Sequence, residues 1–219
     1  MIINIEEILK QMCQMLDAVK PQEPGLYTHL QRIMRKQFEE FEKRSEIYDT
    51  GSKVDKAICV VKGHLLDSVF DKRGDKQVIS MFNSMEIKAG PEFLKGSQPS
   101  SFYTEAVAGT FIVYITFEQM EEVYRLFPGT RELATLITSE FRIRESDHLV
   151  MLHQKGIEKV EQFYKKFPHI HPDANILTDA EIASLLLISE GALRDLRYKL
   201  INKGILPESF KRKNRIEIQ

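Results

Sequence analysis

Between about Ser45 and Thr116 the chain gives up helical spacing for short runs of β-branched and aromatic residues parted by glycine-containing turns, and this stretch most constrains the fold. EIYDTGS, AICVVKGHLLDSVF, DKRGDK, QVISMF and TEAVAGTFIVYIT follow one another in that order. Asp71-Lys72-Arg73-Gly74-Asp75 lies between two apolar runs and reads as a hairpin, since Gly74 takes positive φ without steric cost. Short strands at this spacing predict an all-β roll or sandwich rather than βαβ units.

Helical spacing flanks this region on both sides. Ile5, Ile8, Leu9, Met12, Met15 and Leu16 recur on one face until the breaker PQEPG at Pro21 to Gly25. A second amphipathic run then carries Leu30, Ile33, Met34, Phe38 and Phe41 on one side. After Thr116, FEQMEEVYRLF groups Phe117, Met120, Val123, Tyr124 and Phe127 and stops before Pro128-Gly129. A long helix is expected from Thr130 to about His153, and another from Gly156 to Phe167, ended by Pro168. PHIHPDAN is polar, short and carries two prolines, which suits a linker.

The stretch from Leu177 to Leu206, LTDAEIASLLLISEGALRDLRYKLINKGIL, has the grammar of two short helices joined by a tight turn. Thr178 and Glu181 form a capping box ahead of a helix from Asp179 to Leu186. Ala183 is small where a second helix must approach. Ser189 is the N-cap of that second helix, Glu190 to about Asn202, and Gly204 is its C′ residue. Leu193, Leu196 and Leu200 give it one apolar face. An apolar strand at Ile205-Leu206, a turn at Lys211 to Asn214 and a strand at Arg215 to Ile218 would complete a winged helix. From Ser189 to Gln219 eight basic residues stand against four acidic ones, a local net of +4 in a chain whose formal charge is −1. A local basic footprint of this kind is what phosphate binding requires, because neutralised phosphates release counterions. Plain αα-hairpins and solvated basic tails share these features.

Cys13 and Cys59 are too few and too far apart for a disulfide framework or a metal site, and they fit a reducing compartment. MIINIEEILKQM lacks the features of a signal peptide, and no apolar run approaches the ~20 residues that span a bilayer. A soluble, cytoplasmic protein with no membrane partner is expected.

The order of parts resembles the Crp/Fnr family of bacterial transcription regulators. EIYDTGSKVDKAICVVKGHLLDSVFDKRGDKQVISMF is similar to the start of a cyclic-nucleotide-binding β-roll, with Gly51, Gly63 and Gly74 at its turns and Phe82 at a strand end. GPEFLKGSQPSSFYTEAVAGTFIVYIT looks like the family's phosphate-binding cassette and the strands after it. The resemblance runs over nearly the whole chain from about Glu46. It implies an α+β protein: an N-terminal double-stranded β-helix (a jelly roll of the cyclic-nucleotide-binding kind), a long dimerisation helix, and a C-terminal winged helix-turn-helix. Residues 1–155 would be the effector domain with its N-terminal helices and dimerisation helix, and residues 156–219 the DNA-binding domain.

The departures from the family pattern bear on the ligand. Gly90-Pro91-Glu92 interrupts the Gly-Glu pair that holds a ribose, and Ser100-Ser101 stands where an Arg-Ser pair would hold a cyclic phosphate. A phosphodiester without its arginine loses a charge-assisted bidentate contact, which argues against cyclic AMP. Lys95 is the nearest cation. The expected effector pocket is Gly90, Glu92, Phe93, Ser100, Ser101 and Phe102, for a small molecule other than cyclic AMP or for none. Cys13 alone precedes the roll, which excludes a Cys-ligated iron–sulfur cluster within one subunit. His64 reads as structural rather than as a haem ligand, and His169 and His171 as linker residues; no cofactor and no metal are implied.

In the second domain the resemblance implies double-stranded DNA as partner, read by a homodimer paired through the helix from Thr130. The expected contacts are Ser189, Glu190, Arg194, Arg197, Lys199, Lys211, Arg212 and Lys213. Asp195 stands where the family often has a base-contacting Arg, and Leu187 where it has glycine in the turn. Two alternatives stand beside this reading. One is a ligand-binding or protein-interaction module that has lost DNA readout, favoured by Glu190, Gly191 and Asp195. The other is a cupin-type enzyme, which would need inward histidines that His64 alone does not supply.

Overall fold

The computed structural model describes residues 5–210 of the chain, the side chain of Asp173 excepted. The chain divides into two units, one of residues 1–69 and 80–143 and the other of residues 70–79 and 144–219.

The first unit opens with α1 (Ile5–Val19) and α2 (Leu26–Met34). Leu9, Met12, Cys13 and Leu16 are the buried residues of α1, an i, i+3, i+4, i+7 stripe that faces the core. Phe38–Phe41 is a strand, β1, not a continuation of the helical run that the spacing of Phe38 and Phe41 predicts. Residues three apart also recur in strands, and here pairing with β8 (Thr110–Thr116) decides: Phe38 lies opposite Val113 and its ring meets Phe111 at 5.8 Å. The remaining strands are β2 (Ser45–Tyr48), β3 (Lys56–Lys62), β4 (Leu65–Phe70), β5 (Lys76–Phe82), β6 (Glu86–Lys88) and β7 (Tyr103–Ala106). They form two four-stranded sheets, ordered β1-β8-β3-β6 and β2-β7-β4-β5. The pairs β1–β8, β3–β8, β3–β6, β2–β7 and β4–β7 are all antiparallel. Gly74, at φ 84, turns the β4–β5 hairpin as its sequence requires, and the Asp71 carboxylate accepts from the amides of Arg73 at 2.7 Å and Asp75 at 3.0 Å.

Strand β3 is buried on both faces, and its period of two explains how. Ala57 and Cys59, in register with Ile115 and Val113 of β8, turn one way; Ile58 and Val60, in register with Tyr114 and Ile112, turn the other. A short helix α3 (Pro91–Leu94), then α4 (Phe117–Leu126) and α5 (Thr130–Leu152) complete the helices that begin in this unit. The start of α4 is a capping box in which the Gln119 amide donates to Thr116 Oγ1 at 3.3 Å and Gln119 Oε1 accepts from the Thr116 amide at 3.0 Å. The division between the units falls within α5, after Ile143.

The second unit contains α6 (Gly156–Lys166), α7 (Asp179–Leu185) and α8 (Glu190–Asn202). Its core gathers Val160, Phe163, Ile182, Leu186, Leu193 and Leu200, each at most 1% exposed. Gly156 starts α6 where a Cβ would come within 3.1 Å of Leu196, so α6 and α8 approach closely there. Ile170, in the segment that its prolines mark as a linker, is buried, and Pro172–Ala174 forms a single 3-10 turn. Ile205 and Leu206 are not a strand: the chain turns after α8 and enters a 3-10 turn at Glu208–Phe210, with Phe210 edge-on to Tyr164 at 5.0 Å. The turn expected at Lys211 to Asn214 and the strand at Arg215 to Ile218 lie outside the described residues. The fold is α+β with antiparallel sheets. Among the described residues no helix is long and apolar enough to cross a membrane.

Candidate functional site

Two places bear on function, one in each unit. Inside the first unit, Asp67 on β4 and Thr104 on β7 are in register, and both are buried. Thr104 Oγ1 donates to Asp67 Oδ1 at 2.6 Å, and Lys88 of β6, on the other sheet, donates to Asp67 Oδ2. The Lys88 ammonium also lies 5.0 Å from the centre of the Phe82 ring, which stacks on Phe141 of α5 at 5.4 Å. An ammonium, a carboxylate and a hydroxyl thus satisfy one another between the two sheets. A buried charge survives only when so paired.

Of the expected pocket residues, Gly90, Glu92 and Phe93 lie at or in α3, and Ser100, Ser101 and Phe102 lead into β7. Gly90 precedes α3 and accepts from the Phe93 amide at 3.1 Å; Glu92 is half-buried. Ser100 is buried, but its hydroxyl donates to the Phe102 carbonyl at 2.6 Å and accepts from the Phe102 amide at 3.2 Å. Ser101 is exposed and Phe102 half-buried. Phe93 is 1% exposed and packs edge-on against Phe117 at 5.9 Å, in the apolar layer between sheet and helices. His64 is held by its neighbours: its amide donates to Thr110 Oγ1, that hydroxyl donates to the His64 carbonyl, and Nδ1 lies 3.2 Å from Asn83 Oδ1.

In the second unit α7 and α8 are joined by Leu186, Leu187, Ile188 and Ser189. The capping box that the sequence predicts is present, with the Glu181 amide donating to Thr178 Oγ1 at 3.2 Å and the Thr178 amide to Glu181 Oε2 at 2.9 Å. Ser189 caps α8, its hydroxyl accepting from the Ala192 amide at 3.1 Å. The turn is closed by the amides of Leu187 and Ile188 donating to Ser184 and Ala183, both at 3.0 Å. Leu187 sits at φ 50, in the left-handed region, where the family pattern has glycine. Buried Lys159 of α6 donates to the Leu186 carbonyl at 3.1 Å, a cation on the carbonyl end of α7. From residues 70–79, Lys76 pairs with Glu181 at 3.4 Å and the Val78 carbonyl accepts from Ser184 Oγ at 3.0 Å.

Arg197 requires a correction. It is among the expected DNA contacts, but Arg197 is 2% exposed. Its Nη2 meets Asp179 Oδ1 at 3.0 Å, and Nη2 and Nε donate to the Tyr164 hydroxyl at 2.6 and 3.0 Å. The reason is in the helix itself: Arg197 follows buried Leu193 by four positions and precedes buried Leu200 by three, so it belongs to the inner stripe. The open face of α8 carries Ser189, Glu190, Arg194, Asp195, Tyr198 and Lys199, all exposed. Glu190, Arg194 and Tyr198 succeed one another at i+4, with Arg194 between the acid and the aromatic ring. Lys211, Arg212 and Lys213 lie outside the described residues.

Sequence reasoning missed Asp67, Lys88 and Tyr198. Asp67 was legible as an acid at the centre of the apolar strand LLDSVF, where alternation puts it on the same face as Leu65. Lys88 had no such signal.

No family model matches the chain, and no curated protein matches it. Solved structures do. The structure of FixK2 from Bradyrhizobium japonicum matches with a TM-score of 0.63 at 16% identity, over 76% of this chain and 85% of that one. The c-di-GMP responsive global regulator CLP of Xanthomonas campestris matches with a TM-score of 0.63 at 13% identity, over 83% and 93%. The sensor domain of the transcriptional regulator DNR from Pseudomonas aeruginosa matches with a TM-score of 0.50 at 11% identity, over 67% and 95%. At these identities the likeness is one of fold: this chain has a Crp/Fnr-type fold.

Proposed function

We propose that this protein is a DNA-binding transcription regulator under the control of a small effector, acting as a homodimer in the cytoplasm. The observation that carries the reading is the α7–α8 pair: a capped helix, a tight turn and a second helix whose outer face is polar and led by Arg194. The matched structures of FixK2 and CLP support it, CLP being described as a global regulator. In this reading α8 enters the major groove. Ser189, Glu190, Arg194 and Lys199 face DNA, with Tyr198 added and Arg197 bracing the helix from behind; Lys211, Arg212 and Lys213 add phosphate contacts. Homodimerisation through α5 is supported by Ile143, Leu149 and Val150, which are 61%, 58% and 61% exposed on that helix. Residues 156–219 would form the winged DNA-binding domain and residues 1–155 the effector domain. Ser100, with its hydroxyl turned onto Phe102, supports an effector other than cyclic AMP.

Glu190 and Asp195, both exposed beside Arg194, favour a second reading in which DNA readout has been lost. Selection of bound genomic fragments, followed by titration of the selected duplex at rising salt, separates the two. The regulator reading expects affinity to fall steeply with salt, and Arg194→Ala to weaken binding by about 1–3 kcal/mol. Failure to select any fragment, or binding indifferent to both salt and Arg194, supports the second.

A further inference from the structure

An apolar cavity of about 100 Å³ lies in the first unit, between the outer face of the β1-β8-β3-β6 sheet and the helices that cover it. Ala57, Cys59 and Ile115 form its floor, Leu30 and Met120 its sides, and Leu133 and Ile137 of α5 its roof. Phe93 and Leu94 of α3 close one end. Thr130, at the rim, spends its hydroxyl on the Phe127 carbonyl at 2.6 Å, and the surface the cavity presents to a guest is almost wholly apolar. Burial pushes the Cys59 thiol up to about 12.

Water gains little by entering such a space, since it needs polar partners, and an unfilled hole is a standing loss of packing. A dry cavity of roughly 150 Å³ walled by carbon takes up benzene. The polar position between the sheets, by contrast, is already filled by Asp67, Lys88 and Thr104. The cavity also touches the first turns of α5 and the segment that begins at α3, so a guest there contacts both.

We propose that this cavity is the effector site, and that the effector is a small neutral apolar molecule of about one ring in size. The proposal rests on the reading of the chain as a regulator, and it relocates the ligand from the roll interior to the layer between sheet and helices. The guest is held by dispersion and exclusion from water alone, so charge or a strong hydrogen-bonding group on it weakens binding.

Benzene is the probe. Calorimetric titration of the full chain should give saturable binding, and benzene at about ten times its Kd should raise the melting temperature by a few degrees. Phenylphosphate and cyclic AMP at the same concentration should do neither. Ala134→Leu, which fills the cavity from α5, should abolish benzene binding while the circular dichroism spectrum is kept; Ala89→Val serves the same end from the sheet side if the first variant does not fold. A wild-type chain that ignores benzene while either filling variant melts higher overturns the proposal, leaving a packing defect only. Benzene that binds without changing affinity for the selected duplex overturns the effector role. Absence of any duplex binding fells the regulator reading instead and leaves the ligand site to be judged by the calorimetry.

Discussion

Arg197 of α8 and Asp179 of α7 form an ion pair of 3.0 Å in which both side chains are almost wholly withdrawn from water, at 3% and 4% exposure. The Tyr164 hydroxyl completes the arginine's bonding from α6, so one guanidinium ties three helices of the second unit together. Burial raises the pKa of that phenol above its usual value, with the nearby arginine pulling the other way.

Arg197→Ala should therefore behave as a folding variant. It takes the cation away from the buried Asp179 carboxylate, a loss of about 3–5 kcal/mol. The urea midpoint of the second unit, followed by the fluorescence of Tyr164 and its neighbours, should fall accordingly. Arg194→Ala, one turn earlier on the open face, should leave the midpoint within about 0.5 kcal/mol of wild type. Replacing the pair together, Arg197→Met with Asp179→Leu, should recover most of the loss, because an apolar pair of similar volume often equals a buried ion pair. Equal midpoints for wild type and Arg197→Ala would show that the pair does not brace the unit.

The turn between α7 and α8 makes a second expectation. Leu187 combines φ 50 with 72% exposure, so its side chain contributes little packing while its backbone sits where Cβ crowds the following carbonyl. Leu187→Gly removes that strain of about 1–2 kcal/mol, offset by about 0.5–1 kcal/mol of extra freedom in the unfolded chain. The variant should be as stable as wild type or up to about 1 kcal/mol more stable. Thermal unfolding checks it, and a clear drop in melting temperature would mean that the exposed leucine is held by something other than solvent.

How much of this could be read beforehand differs between elements for physical reasons. The capping residues Thr178, Glu181 and Ser189 were plain, because a cap is a local hydrogen bond written in adjacent residues. Gly74 was plain for the same reason. Phe38 and Phe41 misled, since spacing of three suits a helix until a distant strand offers a ladder. Arg197 misled because its charge drew the eye to solvent, although its distances from Leu193 and Leu200 placed it among them. The Lys88–Asp67 pair joins residues of different sheets, and nothing local announces it. The cavity is invisible for a further reason: its lining reads in sequence as ordinary core, and only the assembled layers show that the side chains leave a space.

His148, in the part of α5 that belongs to the second unit, gives a pH dependence with a definite sign. Burial holds its pKa below the ordinary value of 6.5, and the Lys166 ammonium adds to the effect; a hydrogen bond to the backbone of Leu185 opposes them without prevailing. The folded unit therefore keeps the imidazole neutral at a pH where the unfolded chain has already taken up a proton. Stability present above about pH 6.5 is lost as pH falls through the window between the unfolded and folded pKa values, because there the unfolded state binds more protons. Urea midpoints of the second unit at pH 7.5, 6.5 and 5.5 should decline in that order. His148→Gln, which cannot titrate, should flatten the decline above pH 5.5, leaving the fall caused by carboxylates at lower pH. An unchanged slope in the variant would assign the pH dependence to other groups and return His148 to an ordinary solvated histidine.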